Sequence, residues 1–273
     1  MNSGRNTVVI GGANGIGRAV AQACEARGDQ VLVADIEESA DILACDVTSS
    51  ESVLQLAQTA VARFGSVDFV FHAAGVLASG RTSLATSLDT QRWVIEVNLM
   101  GTINVLTAFA PILIAQSTPS AMVVTGSEHS VGVPHTNSAA YTASKHAVLG
   151  YADVVRRELP DHVKLSVLCP GIVSTSLWRS SERRQDTFGG ARPAREGSGA
   201  VMELGISPDE VAQSVLRGVD AGEFLIMTHD HLVTYARERY ELVADAIKRQ
   251  VPDQGGKYET TNVMAEFNRR NKG

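Results

Sequence analysis

Thr7-Val8-Val9-Ile10-Gly11-Gly12-Ala13-Asn14-Gly15-Ile16-Gly17 is the stretch whose reading decides the fold. A short β-branched run breaks into a glycine-rich turn, and helical apolar spacing begins at Ile16. Gly11, Gly15 and Gly17 each have a geometric task in such a turn. One makes the bend, one lets backbone approach a pyrophosphate, and one lets the helix pack close to the strand. Asn14 and Ile16 complete the loop. The phosphates of a dinucleotide would lie at the helix N-terminus, where free N–H groups and the helix dipole favour negative charge. Glycines placed between a strand and a helix are far more specific than the same glycines elsewhere.

Outward from this turn, two kinds of segment alternate along the 273 residues. Short apolar runs lie at 7–10, 30–34, 67–71, 121–125, 164–168 and 224–227, with a weaker one at 41–45. Helical spacing occupies 16–27, 51–64, 90–115, 140–158, 208–221 and 232–249. Continuous apolar strands alternating with helices predict an α/β fold, a doubly wound parallel sheet of about seven strands covered on both faces. Residues 1–250 are expected to form one domain, with a long irregular connection at 176–206 acting as a substrate lid. The Arg-rich part of that connection, from Arg179 to Arg195, reads as a solvated loop. The polar stretch 251–273 is expected to be a tail.

The second strand ends at Asp35, 18 residues beyond Gly17, close to the spacing of an acid that binds the adenosine ribose 2′-OH. A carboxylate there repels a 2′-phosphate, and neither Ile36 nor Asn14 offers a cation, so NAD is favoured over NADP. Asp46 and Val47 follow the weak third strand, the acid placed to accept from the adenine amino group. Only ten residues separate Asp35 from Asp46, so the crossover helix there should be short or missing and the adenine pocket open.

Tyr141 and Lys145 stand at i and i+4, on one face of a predicted helix. An ammonium near a phenol favours the phenolate, typically by roughly 1–3 pKa units. That brings the tyrosine toward the range where a general acid/base works best. Taken together, Gly11-xxx-Gly15-x-Gly17, Asp46-Val47, His72-Ala73-Ala74-Gly75, Asn98, Ser127, Tyr141-xxx-Lys145 and Pro170-Gly171-Ile172-Val173-Ser174-Thr175 resemble, in identity and order, the short-chain dehydrogenase/reductase family. The match resembles its single-domain branch and covers about 7–175.

The resemblance implies a direct hydride transfer between a nicotinamide cofactor and a secondary alcohol or ketone. It implies that Tyr141 is the general acid/base, that Lys145 binds ribose and lowers the tyrosine pKa, that Ser127 polarises the substrate oxygen, and that Asn98 positions a proton-relay water. Ala73, Ala74, Gly75, Pro170, Gly171, Ile172 and Thr175 are implied cofactor contacts. Ser127 is preferred to Ser130 because a strand end fixes a side chain better than a loop does. Glu128 and His129 read as solvated loop residues, or, more sharply, as one pocket-lining side chain. Ile10, His72 and Ala73 depart from the family pattern. His72 is expected to be a sheet residue with a local hydrogen bond.

Leu77, Val133, Leu177, Trp178 and Phe188 belong to segments expected to border the pocket, with Trp178 placed to stack on a substrate ring. They point to a hydrophobic cyclic or aromatic substrate, steroid-like, terpenoid or aryl carbinol. The resemblance also implies a homodimer or homotetramer through the helices at 90–115 and 140–158. Two other readings are a dinucleotide-sensing regulator without catalysis and an epimerase or dehydratase.

Composition narrows the classes. The net charge of −6 offers no basic face for nucleic acid. Three widely spaced cysteines, Cys24, Cys45 and Cys169, form neither a disulfide framework nor a metal motif, and three reduced core thiols suit a cytoplasmic protein. The apolar run 105–115 is too short for a membrane span, and the N-terminus reads as a strand, not a signal peptide.

Overall fold

The computed structural model describes residues 4–78, 81–194, 197 and 199–251, with 266 and 269; most of the expected tail lies outside the described residues. Seven parallel strands form one sheet in the order β3-β2-β1-β4-β5-β6-β7. In chain order these are β1 (Asn6–Ile10), β2 (Gln30–Asp35), β3 (Ile42–Ala44), β4 (Phe69–His72), β5 (Ser120–Thr125), β6 (Val163–Cys169) and β7 (Leu225–Met227). The chain steps outward from β1 to β3, then returns across β1 to β4. That reversal opens a crevice beyond the carboxyl ends of β1 and β4, where doubly wound folds bind ligands.

Alternate side chains of the inner strands feed two cores. Val8, Ile10, Val70, Met122 and Val124 pack with α2 (Ser50–Phe64), α3 (Leu88–Ile95), α4 (Gly101–Gln116) and α5 (Ala139–Glu158). Val9, Phe69, Phe71 and Val123 face the other way, toward α1 (Gly15–Ala26) and, further along the chain, the helix Pro208–Ala221. Both layers are apolar, which is why the strands read as continuous hydrophobic runs.

Strand β4 starts later than the pattern predicts because the Gln116 side chain captures Val67. Its Oε1 accepts from Val67 N at 2.8 Å and its Nε2 donates to Val67 O at 2.8 Å. The predicted helix 90–115 is longer and interrupted. Between α3 and α4 lies one π turn, Glu96–Met100. The continuous helical stretch Leu88–Gln116, 29 residues, is long and apolar enough to cross a membrane by length and composition, which the shorter run 105–115 did not suggest. Trp93, Val94, Val97, Phe109 and Leu113 of this stretch are buried in the sheet-packed core.

No helix forms between β2 and β3, as expected. Ser39 and Ile42 exchange backbone hydrogen bonds there at 3.1 and 3.2 Å. The connection after β6 is pinched at its base, where Ser174 N donates to Ile206 O at 2.9 Å. Inside it run two short helical turns, Leu177–Arg183 and Asp186–Phe188, and a four-residue helix, α6 (Gly199–Met202). After it come α7 (Pro208–Ala221), capped reciprocally by Ser207 and Glu210, and α8 (Leu232–Gln250).

Candidate active site

A cleft of about 290 Å³ opens at the crevice, and every cofactor contact expected from the sequence borders it, from Gly11 to Thr175. Its floor needs glycine. Gly11 has φ of +82°, and a Cβ there would lie 2.3 Å from Ala74 N. A Cβ on Gly17 would lie 2.0 Å from Gly11 O. The turn therefore brings bare backbone to the cleft at the start of α1, a cradle that fits a dinucleotide's pyrophosphate. The 170–175 segment folds onto it, with Ser176 Oγ donating to Asn14 Oδ1 at 3.0 Å.

Asp35 is buried and braces the same turn. Its Oδ2 accepts from Ala13 N at 2.9 Å and its Oδ1 from Glu37 N at 3.2 Å. Asp46 is engaged as well. Thr48 donates to Oδ1 through its N at 2.9 Å and its Oγ1 at 2.7 Å. Gln185 Nε2, from the lid, lies 3.2 Å from both carboxylate oxygens, while its Oε1 accepts from Trp93 Nε1 at 3.0 Å.

Nothing in the sequence pattern pointed to Gln185. The missing crossover helix leaves the cleft open beside Asp46, and the 176–206 connection fills that gap with Gln185. Nearby, Arg183 lines the cleft and pairs with Glu37 at 3.2 Å. The sequence showed no cation near the end of β2, and the fold brings Arg183 to Glu37, two residues past Asp35, from 146 residues away. The reading of 179–195 as solvated also fails in part. Arg184 is buried, stacked over Trp93 at 5.4 Å with NH1 donating to Thr90 Oγ1 at 2.8 Å.

At the other end of the cleft, β5 and α5 converge. Ser127 lies two residues beyond β5, where it caps the helical turn Glu128–Ser130, and it lines the cleft with its hydroxyl accepting from His129 N at 3.2 Å. Ser130 is committed to the framework. Its hydroxyl accepts from Ser127 N at 3.1 Å and donates to Lys145 O at 2.9 Å. Tyr141 and Lys145 both line the cleft from α5, with Lys145 Nζ 5.7 Å from the tyrosine ring centre and donating to Thr125 O at 2.7 Å.

Burial governs both groups in the protein without cofactor. It pushes the Tyr141 phenol up to about 12, opposed by a Ser127 hydrogen bond and reinforced by the Glu128 charge. It pulls Lys145 down to about 8. The expected lowering of the phenol by Lys145 is thus not what sets the phenol here.

Asn98 lies on the π turn, a feature frequent at functional sites. Its carboxamide is spent on structure, accepting from Val76 N at 2.8 Å and donating to Val76 O at 3.0 Å and Ser144 Oγ at 3.1 Å. It does not border the cleft, although the Gly75 backbone stands between it and Lys145.

Three expectations about the surroundings change. His72 is fully buried, yet neither ring nitrogen has a partner among the described residues, so the local hydrogen bond is not made. Burial, then the nearby Lys145 charge, hold it neutral with a pKa lowered to about 3. Glu128 and His129 are not solvated; both are buried and line the cleft. Their burial follows from packing of the 128–132 turn under α8, where a Cβ on Gly132 would strike Tyr235.

The apolar wall also differs. Leu77 and Leu177 line the cleft, joined by Val201 and Met202 of α6. Val133 is exposed, Phe188 packs on the core, and the Trp178 ring lies against Gly199 instead of the cleft. Among the described residues the three cysteines are free and buried, and no cluster of His, Cys, Asp and Glu could hold a metal ion.

Comparison with known proteins agrees with this geometry. A family model described as short chain dehydrogenase matches residues 5–186. The 1-deoxy-11-beta-hydroxypentalenate dehydrogenase of Streptomyces avermitilis is 33% identical over 260 residues, 89% of this chain and 91% of that one. The 2,5-dichloro-2,5-cyclohexadiene-1,4-diol dehydrogenase of Sphingobium indicum is 30% identical over 70% of this chain and 80% of its own length. Among solved structures, a short chain dehydrogenase/reductase from Burkholderia phymatum in complex with NAD has a TM-score of 0.80 at 27% identity, covering 89% of this chain and 95% of that one. One from Burkholderia cenocepacia in complex with NADP shares the fold, with a TM-score of 0.70 at 22% identity over 91% of this chain and 98% of that one.

Proposed function

The chain belongs to the short-chain dehydrogenase/reductase family, and on that premise we propose that it is an NAD(H)-dependent oxidoreductase interconverting a secondary alcohol and a ketone on a cyclic substrate. The observation that carries the reading is the convergence of Ser127, Tyr141 and Lys145 at one end of a cleft whose other end is a glycine cradle. The pyrophosphate would rest on the 11–17 turn, the adenosine ribose on Asp35, and the nicotinamide beside Pro170 to Thr175. The nicotinamide supplies or accepts the hydride when bound. Ser127 and Tyr141 both reach the substrate oxygen, so charge developing on it meets two hydroxyl donors. Tyr141 carries the proton to or from that oxygen, and its buried position excludes water from the exchange. Lys145, with an ammonium weakened by burial, offers a proton that the phenol can draw on. Asn98, tied to Val76 and Ser144, holds the 75–76 backbone against this group.

NAD is the proposed cofactor because Asp35 places a carboxylate against the turn. A cyclic substrate is supported by the pentalenate and cyclohexadiene-diol relatives named above. The exposed apolar residues Ile114 on α4 and Val154 on α5 favour a homodimer or homotetramer through those helices, and residues 1–250 are read as one domain.

The test is turnover of a panel of cyclic secondary alcohols with NAD and with NADP, followed by cofactor absorbance. Wild type should reduce NAD. Tyr141→Phe should lower kcat by roughly 10²–10⁴-fold while calorimetric NAD affinity is kept. Cofactor binding with no turnover would favour the regulator reading, and substrate conversion without net NADH the epimerase or dehydratase reading.

A further inference from the structure

The substrate end of the cleft has a mixed lining. Leu77, Leu177, Val201 and Met202 are part of its apolar lining, and Glu128, His129 and His135 part of its polar lining. Hydrogen-bonding capacity in the polar lining can be counted group by group. His135 Nδ1 lies 2.9 Å from the carbonyl of Thr136, so that nitrogen carries the hydrogen and donates. His135 Nε2 is then the acceptor for its neighbour at 3.1 Å, His129 Nε2, which donates to it. His129 is held neutral, its pKa lowered to about 3 by burial, so its Nδ1 accepts from Thr142 Oγ1 at 2.7 Å. Both rings are therefore spent on each other and on the backbone and hydroxyl beside them.

Glu128 is different. Its side chain is only 10% exposed, and Oε2 is 3.0 Å from Nε2 of His231, which anchors it from the start of α8. Oε1 has no partner among the described residues, and it is not among the sealed side-chain atoms that lack one. The spare valence in this lining is a carboxylate lone pair open at the cleft.

We propose that Glu128 binds a hydroxyl of the substrate other than the one that reacts, so that the substrate class is a cyclic diol or polyol. The inference rests on the dehydrogenase reading of the same cleft. A buried carboxylate facing a plain hydrocarbon ring would lose water and gain no donor, which disfavours that ring. A hydroxyl in the same place makes a charge-assisted hydrogen bond, stronger than a neutral one. The apolar lining takes the ring carbons, and the reacting carbinol lies at Tyr141 and at Ser127, which is next to Glu128 in the chain. The same negative charge disfavours substrates with a carboxylate or phosphate near the reacting carbon.

The experiment compares kcat/KM for matched pairs of saturated carbocyclic diols and mono-alcohols of several ring sizes, with NAD, for wild type, Glu128→Gln and Glu128→Ala. Calorimetric NAD binding reports that each variant is folded. Wild type should prefer the diol of a pair by at least about tenfold, because sites built to hydrogen-bond a hydroxyl reject analogues lacking it strongly. Glu128→Ala should bring the ratio near one, mainly by raising KM for the diol. Glu128→Gln, which keeps an acceptor without the charge, should fall between. Equal use of diols and mono-alcohols by wild type, or an unchanged ratio in folded Glu128→Ala, overturns the proposal and leaves the dehydrogenase reading standing. No turnover of either class by wild type removes both. If neither variant folds, the wild-type ratio alone decides.

Discussion

The glycine turn and the 176–206 connection, the proposed lid, border one cleft and are built in opposite ways. The turn is local: β1, the 11–17 loop and α1 are consecutive, and its glycines bring bare backbone to the cleft. The lid is assembled from afar. Gln185 meets Asp46 across 139 residues, Arg183 meets Glu37 across 146, and Ser180 accepts from Leu77 N across 103. One wall is specified by φ angles and the absence of Cβ atoms, the other by side chains meeting after the whole sheet is in place. A wall of the first kind should fail abruptly when altered, and a wall of the second kind gradually.

The sharpest way to break that contrast is a methyl group on each side. Gly11→Ala forces a non-glycine residue to φ of +82° with its Cβ 2.3 Å from Ala74 N, and the obstructing atom is backbone. The conformation alone costs of order 1–3 kcal/mol, and each kcal/mol lowers Tm by roughly 2–4 °C in a chain of this size class. Displacement of Ala74 should also remove measurable NAD binding. Gly190→Ala in the lid has a similar φ of +71°, but its Cβ meets only the Asp186 carboxylate, at 3.2 Å. It should keep cofactor affinity. Equal loss of binding in both variants, read by calorimetry and thermal melting, would erase the distinction.

A smaller effect separates the two walls at the ribose. Asp35 belongs to the turn, through Ala13 N, and Arg183 to the lid, through Glu37. Asp35→Ala should lower the NAD:NADP affinity ratio by about 10–100-fold, the range expected for hydrogen bonds to a charged group. Glu37→Gln leaves Asp35 in place and frees Arg183 from its partner. Exposed ion pairs are weak, so NADP affinity should rise only about two- to fivefold. A larger gain from Glu37→Gln than from Asp35→Ala would make the lid, not the second strand, the determinant of cofactor choice.

The same contrast explains what the sequence made legible. The strand and helix order, the missing crossover helix after Asp35, and the convergence of Ser127, Tyr141 and Lys145 follow from period, spacing and strand ends, which are local signals. Ser127 lines the cleft and Ser130 does not, but what holds Ser127 is its place as cap of the 128–130 turn, two residues after the strand from which it was read. Apart from the Tyr141 phenol, where burial outweighs Lys145, the failures are long-range. Trp178 was placed near the substrate by its neighbours in the chain, but Gly199 takes its ring. Glu128 and His129 look like loop residues until α8 arrives to bury them, about 100 residues later. His72 gives no sequence sign that its ring would be sealed without a partner.

Gln185 tests the lid wall most gently. Its amide presents to Asp46 an N–H₂ donor, the same kind of group that an adenine amino group presents, and its Oε1 is held by Trp93. If adenine uses Asp46, the amide must leave the carboxylate when the cofactor arrives, and breaking that hydrogen bond weakens cofactor affinity by its net free energy. Asp46 and Gln185 are only half-buried, which discounts a hydrogen bond to a carboxylate to about 0.5–1.5 kcal/mol net, so Gln185→Ala should bind NAD about two- to tenfold more tightly. The gain should vanish in Asp46→Ala, where there is no carboxylate left to contest. Weaker binding in Gln185→Ala would mean that the amide is part of the adenine wall, held in place by the same Trp93 bond, and that the lid joins the turn in holding the cofactor.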